Sequence, residues 1–115
     1  MDRQSVGRQG EDIAVNYLKS KGFNIIDRRY RVREGEIDIV AEREERLYFI
    51  EVKTRRSLSY GYPYEAVNDK KLQRMRSVAL KYLEENKIRN KDISFGVVSV
   101  LMMGDTIKIE YVEDV

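Results

Sequence analysis

The chain contains no cysteine and no histidine. The first absence excludes disulfides, a thiolate zinc site and a cysteine nucleophile. The second removes imidazole both as a base and as a metal ligand. Proline occurs once, at Pro63, and no apolar run approaches the length of a membrane span. Residues 1 to 12 are mostly polar and charged, without the apolar segment of a secretion signal, so the expectation is a cytoplasmic protein with no membrane association. The net charge is only +2, which by itself selects no polyanionic partner. Hydrolytic chemistry in such a chain falls to carboxylates, Lys, Tyr, Ser or a hard metal ion, which favours Mg²⁺ or Mn²⁺ over zinc. At 115 residues the chain supports one core, and a single domain is expected over 1–115.

What is present centres on residues 35 to 55, GEIDIVAEREERLYFIEVKTR. Two apolar runs, Ile37 to Ala41 and Leu47 to Val52, are joined by the fully charged segment 42–46, which is the pattern of a β-hairpin. A turn centred between Glu44 and Glu45 pairs residues whose numbers sum to 89. Asp38 then faces Glu51 and Glu36 faces Lys53. Strand alternation puts those four on one side and Ile37, Ile39, Ile50 and Val52 on the other. Charges alternating along a sheet are most often simply solvated. Here Phe49 and Val40 share the charged side, and charges on a covered face call for a partner or an ion. Asp38 and Glu51 side by side repel, and a divalent cation or the Lys53 ammonium would offset that repulsion. Glu36 has a simpler reading as the cross-strand partner of Lys53.

The rest of the chain frames this hairpin. Residues 5 to 21 read as a helix, with Ser5 as N-cap, Gly22 as the stop, and Val6, Gly10, Ile13, Ala14, Tyr17 and Leu18 as one stripe. Gly10 in that stripe allows a close approach to the sheet. Glu11 beside it is, on its own, an ordinary acid in the first half of a helix. A strand over 23–32 carries Arg28, Arg29 and Arg31, followed by Arg33, which suits phosphate contact or the protection of an edge. In the loop 57–64, Tyr60, Tyr62 and Tyr64 could stack on bases, but packing is their simpler role. Thr54, Arg55 and Ser57 directly follow Lys53, where hydroxyls and a guanidinium could hold a phosphate. Asn68 or Asp69 caps a second helix running to about residue 86, with Leu72, Met75, Val78, Ala79, Tyr82 and Leu83 buried. Strands at 93–103 and 106–112 close the chain around Gly104-Asp105, and nothing in the run FGVVSVLMM looks chemical.

The order α-β-β-β-α-β-β predicts an α/β fold, a mixed sheet flanked by helices, with a right-handed crossover after the third strand. Positive charge gathers from Val52 to Lys81. Lys53, Arg55, Arg56, Lys70, Lys71, Arg74, Arg76 and Lys81 stand there against Glu65 and Asp69, giving +6 and leaving −4 elsewhere. Such a window holds a polyanion's phosphates or is a solvated helix face. Lys70, Lys71 and Arg74 would track a backbone more than read bases.

Asp38 followed by Glu51-x-Lys53 on a half-buried hairpin resembles the PD-(D/E)xK nuclease superfamily, including the archaeal-type Holliday junction resolvases. More closely, the chain resembles the YraN-like family of predicted endonucleases. That resemblance runs through Gly7, Gly10-Glu11, Ala14, Leu18, Gly22, Gly35-Glu36-Ile37-Asp38, Phe49 to Arg55, Gly61, Ala66-Val67, Lys71 and Arg74. It implies a restriction-endonuclease-like fold. Asp38 and Glu51 become metal ligands, Lys53 the catalytic lysine, and Glu11 the first-helix acid, as a further metal ligand or an outer support. Mg²⁺ or Mn²⁺ is the implied cofactor. The implied activity is phosphodiester hydrolysis in nucleic acid, DNA first, with branched forms among the candidate substrates and Arg55, Lys70, Lys71 and Arg74 on the backbone. A homodimer would let such an enzyme place two symmetric cuts. The alternative is a non-catalytic nucleic-acid-binding or scaffolding domain that retains the fold. The chain departs from the family pattern at Arg29, where Asn is common, outside the implied site.

Overall fold

The computed structural model describes residues 3–56 and 68–114, with side chains described from Gly7 onward. The tyrosine-bearing loop, Gly61, Ala66, Val67 and the Val6 side chain lie outside the described residues. The elements follow the expected order: α1 (Arg3–Ser20), β1 (Asn24–Val32), β2 (Gly35–Arg43), β3 (Arg46–Arg55), α2 (Asp69–Glu85), β4 (Asp92–Met103) and β5 (Thr106–Glu113). The five strands form one sheet in sequence order. β3 and β4 are parallel, joined through α2, and every other neighbouring pair is antiparallel. The mixed α/β sheet with flanking helices is therefore the fold. No helix among the described residues is long and apolar enough to cross a membrane.

α1 begins before the expected cap. Arg3 and Gln4 are favourable helix formers, so Ser5 sits inside the first turn instead of starting it. The other end stops where expected, at Gly22 with φ +90°. Its N–H donates to the Lys19 carbonyl at 3.1 Å and the Phe23 N–H to the Leu18 carbonyl at 3.0 Å, a Schellman closure. Phe23 then enters the core against Tyr48, edge to face at 4.8 Å between ring centres. α2 starts at Asn68, whose Oδ1 accepts the Lys71 N–H at 2.9 Å.

Each helix covers one side of the sheet. Ala14, Val15 and Leu18 of α1 pack with Ile39, Ala41, Tyr48, Ile50, Val98 and Val100. Met75, Val78, Ala79 and Tyr82 of α2 pack with Val40, Leu47, Phe49 and Ile37. Ile37 thus lies on the α2 side, not with Ile39 as strict alternation requires.

The β2–β3 turn is the two-residue loop Glu44-Glu45, closed by Arg43 opposite Arg46. Both glutamates have positive φ, 52° and 67°. That is the type I′ geometry that matches strand twist but suits Asn-Gly far better. Left-handed backbone at a side-chain-bearing residue costs about 1–2 kcal/mol. Glu44→Asn with Glu45→Gly should therefore stabilise the fold by about 1–2 kcal/mol, read as a higher midpoint in urea at unchanged slope.

Candidate active site

The antiparallel register read from the sequence holds from Arg43–Arg46 as far as Ile39–Ile50, and there the ladder ends. Below that point β2 continues beside β1 down to Gly35, while β3 continues beside β4 to Arg55. The two strands fork. The expected ladder pairs Asp38–Glu51 and Glu36–Lys53 do not form. Asp38 instead accepts the Val52 backbone N–H on its Oδ2 at 2.8 Å, so a side-chain oxygen serves β3 where a β2 carbonyl would in a continued ladder. Glu36 pairs with Arg31, its β1 neighbour, at 3.2 Å, and not with Lys53.

The fork concentrates charge in a half-buried place. Glu51 is 8 % exposed. Its Oε1 meets the Lys71 ammonium at 3.1 Å and the Lys53 ammonium at 3.5 Å. Burial first, and the nearby Glu51 carboxylate second, push Asp38 up to about 7 against the opposing Val52 hydrogen bond. Lys53 is pushed down by burial and then by the neighbouring Lys71. Burial alone would lower Lys71 too, but its contacts with Lys53 and Glu51 outweigh that and the net shift is upward. Of the two amines, Lys53 is the one that gives up a proton more readily.

Lys71 was expected along a nucleic-acid backbone, yet it reaches into the carboxylates. The Asn68 cap fixes the turn that carries it. A signal was present in the sequence: Lys71, Met75, Val78 and Tyr82 are spaced four, three and four residues apart, so the lysine continues the buried stripe of α2. Lys70 and Arg74 lie on the exposed side of the helix. Arg55 is half-buried and donates to the Thr54 carbonyl at 3.0 Å. Ser99 is a second residue that sequence reasoning passed over. It stands beside Lys53 in the parallel register, and its buried Oγ has no hydrogen-bond partner among the described residues.

Glu11 is buried, 7 % exposed, on the side of α1 that faces β1. Its Oε1 accepts from Arg28 Nε at 3.1 Å and Nη2 at 2.9 Å, and Arg29 Nε reaches both carboxylate oxygens at 3.2 Å. Arg29 therefore belongs to the site's surroundings, contrary to the expectation that it lies outside. Among the described residues no three acids are grouped closely enough to hold a metal ion together. The geometry is a carboxylate pair, Asp38 and Glu51, with Glu11 drawn aside by arginines. That pair fits Mg²⁺ or Mn²⁺ by its chemistry. Its oxygens are hard, its like charges are crowded and desolvated, and magnesium takes one or two protein carboxylates alongside waters and phosphate oxygens.

The comparison with known proteins follows the same stretch of chain. The profile of Uncharacterised protein family UPF0102 matches residues 10–100. A UPF0102 protein of Dictyoglomus turgidum is 39% identical over 113 residues, covering 96% of each chain. Another, from Syntrophotalea carbinolica, is 44% identical over 109 residues, covering 95% of this chain and 89% of the relative. A third, from Clostridioides difficile, is 42% identical over 103 residues, with 90% of each covered. With a match that runs from within α1 into β4 and with relatives alike over nearly the whole chain, this chain belongs to the UPF0102 family.

Proposed function

We propose that the protein is a metal-dependent phosphodiesterase of the PD-(D/E)xK type that acts on nucleic acid, with DNA, and branched DNA in particular, as substrate. The observation that carries this reading is the fork below Ile39–Ile50, where Asp38, Glu51, Lys53 and Lys71 gather in one half-buried charged cluster. Asp38 and Glu51 would hold Mg²⁺ or Mn²⁺. When bound, the ion supplies polarisation of the scissile phosphate and a lowered pKa for the attacking water.

The chain's own groups do the rest. The Val52 N–H fixes the orientation of Asp38. Lys53, its pKa lowered, donates a hydrogen bond to the attacking water or to a phosphate oxygen as negative charge develops. Lys71 neutralises Glu51 and would turn toward the phosphate as substrate enters. Lys70, Arg74 and Arg55 supply further positive charge along the approach. A second reading, a nucleic-acid-binding scaffold without catalysis, is favoured by one feature: two ammonium groups already neutralise Glu51.

A four-way junction and a matched linear duplex, each incubated with protein in Mg²⁺ or Mn²⁺, separate the two. We expect metal-dependent cutting that a chelator stops, faster on the junction, and lost in Glu51→Gln and Lys53→Ala. Binding without any cutting in either metal would leave the scaffold, and wild-type rates in Glu51→Gln would remove the assigned ligand.

A further inference from the structure

Arg28 and Arg29 are consecutive residues of β1, and both guanidinium groups reach the single carboxylate of Glu11. A regular strand forbids this, because neighbouring side chains point to opposite faces. The exception is made by Arg29, whose φ of 54° is left-handed. That conformation costs about 1–2 kcal/mol at a residue bearing a side chain. Strain of this kind persists where the surroundings impose it, and it gathers at functional sites.

The position is telling. Residue 29 of β1 lies opposite Asp38 of β2, between the ladder pairs Arg28–Ile39 and Tyr30–Ile37. The arginines therefore flank Asp38 on the β1 side of β2, while Lys53 lies on the β3 arm of the fork. Their side chains are 38% and 44% exposed. Arg28 spends Nε and Nη2 on Glu11 and Asp12, and Arg29 spends only Nε. Among the described residues, Nη1 of Arg28 and both terminal nitrogens of Arg29 have no acceptor. Arg29, anchored at Nε with both terminal nitrogens free, is oriented to take a phosphate through paired hydrogen bonds, and Arg28 adds a single donor at Nη1.

We propose that Glu11 is a positioning residue and not a metal ligand, and that it holds Arg28 and Arg29 as a clamp for a backbone phosphate next to the one cleaved. This rests on the reading of the fork as a phosphodiesterase site, and it predicts binding behaviour separable from cutting. The test measures affinity of the full chain for a labelled duplex, in chelator, over a series of salt concentrations. Arg29→Asn is the informative variant, because asparagine tolerates left-handed backbone and keeps the strand folded.

Arg29→Asn should weaken binding about tenfold and lower the salt slope by about 1, one phosphate contact fewer. Glu11→Gln should weaken duplex binding while leaving Mn²⁺ affinity, read by calorimetry without nucleic acid, within about twofold of wild type. An unchanged slope in Arg29→Asn overturns the clamp, even if the wild type cuts. A tenfold loss of Mn²⁺ affinity in Glu11→Gln makes Glu11 a ligand and overturns the positioning role. If the wild type never cuts but its binding depends on Arg29 as stated, the clamp stands and the phosphodiesterase reading fails.

Discussion

Exchanging Asp38 for asparagine is expected to lower cleavage by about a thousandfold or more and, at pH 8, to make the protein more stable. The two effects have one origin. Asp38 is half-buried beside Glu51, and desolvation and that neighbouring charge push it up to about 7 from an ordinary value of 3.8. Between those two values the folded chain holds a proton that the unfolded chain has released, so stability falls as pH rises. Below the lower value both states are protonated and the penalty vanishes. Above the upper value it is complete. At about 1.4 kcal/mol per pKa unit, the full effect is on the order of 2 to 4 kcal/mol once relaxation is allowed for. Asparagine carries no charge and can still accept the Val52 N–H. Thermal unfolding of both proteins should therefore show equal midpoints near pH 4 and a variant higher by several degrees at pH 8. A variant that is less stable at pH 8 would contradict the crowding of charge at the fork. Stability exchanged for activity in this way is common at sites built to bind something charged.

Gly10→Ala should have a large effect on stability through the seating of α1 on β3. A Cβ at residue 10 would lie 1.8 Å from Thr54 Oγ1 and 2.9 Å from Thr54 Cβ. Alanine is the better helix former by about 1 kcal/mol, so the substitution would help in an exposed helix. Overlap of this size forces α1 off β3, and over-packing of a close contact costs about 1–3 kcal/mol or more. The net expectation is a loss of about 2 kcal/mol and a fall in Tm of roughly 10 °C. Because Glu11 is the next residue, lifting α1 also loosens its hold on Arg28 and Arg29, and nucleic-acid affinity should fall with stability. Thr54→Ala in the same chain removes Oγ1 but keeps Cβ, so it should restore only part of the loss. A single variant as stable as wild type would show that α1 seats differently.

The hairpin register was legible because its period-two pattern and charged turn admit few pairings, and the seating of α1 was legible in Gly10. The helix boundaries followed from Gly22 and Asn68, with Ser5 displaced because good helix formers precede it. The fork was not legible. Residues 36 to 40, EIDIV, read as regular alternation, and what breaks it is a left-handed backbone at Arg29 together with a side-chain acceptor at Asp38. Neither leaves a mark in composition. A glycine or asparagine at position 29 would have signalled the irregularity. An arginine there hides it, because its residue type does not signal left-handed backbone and its side-chain partner lies 18 positions away. The contact of Lys71 with Glu51 was missed for a different reason. Charge made the lysine look like surface, while its spacing from Met75 already put it on the buried stripe.

The central claim is that Asp38 and Glu51 together hold a divalent ion. Calorimetric titration of Mn²⁺ and Mg²⁺ into the wild type and into the Asp38→Asn, Glu51→Gln double variant tests it without reference to any substrate. The account predicts saturable binding by the wild type that weakens as pH falls below about 7, where Asp38 takes up a proton, and no measurable binding by the double variant. Equal binding by both proteins would place the ion elsewhere. Binding by neither would return the two carboxylates to Lys53 and Lys71 as a structural ion-pair cluster.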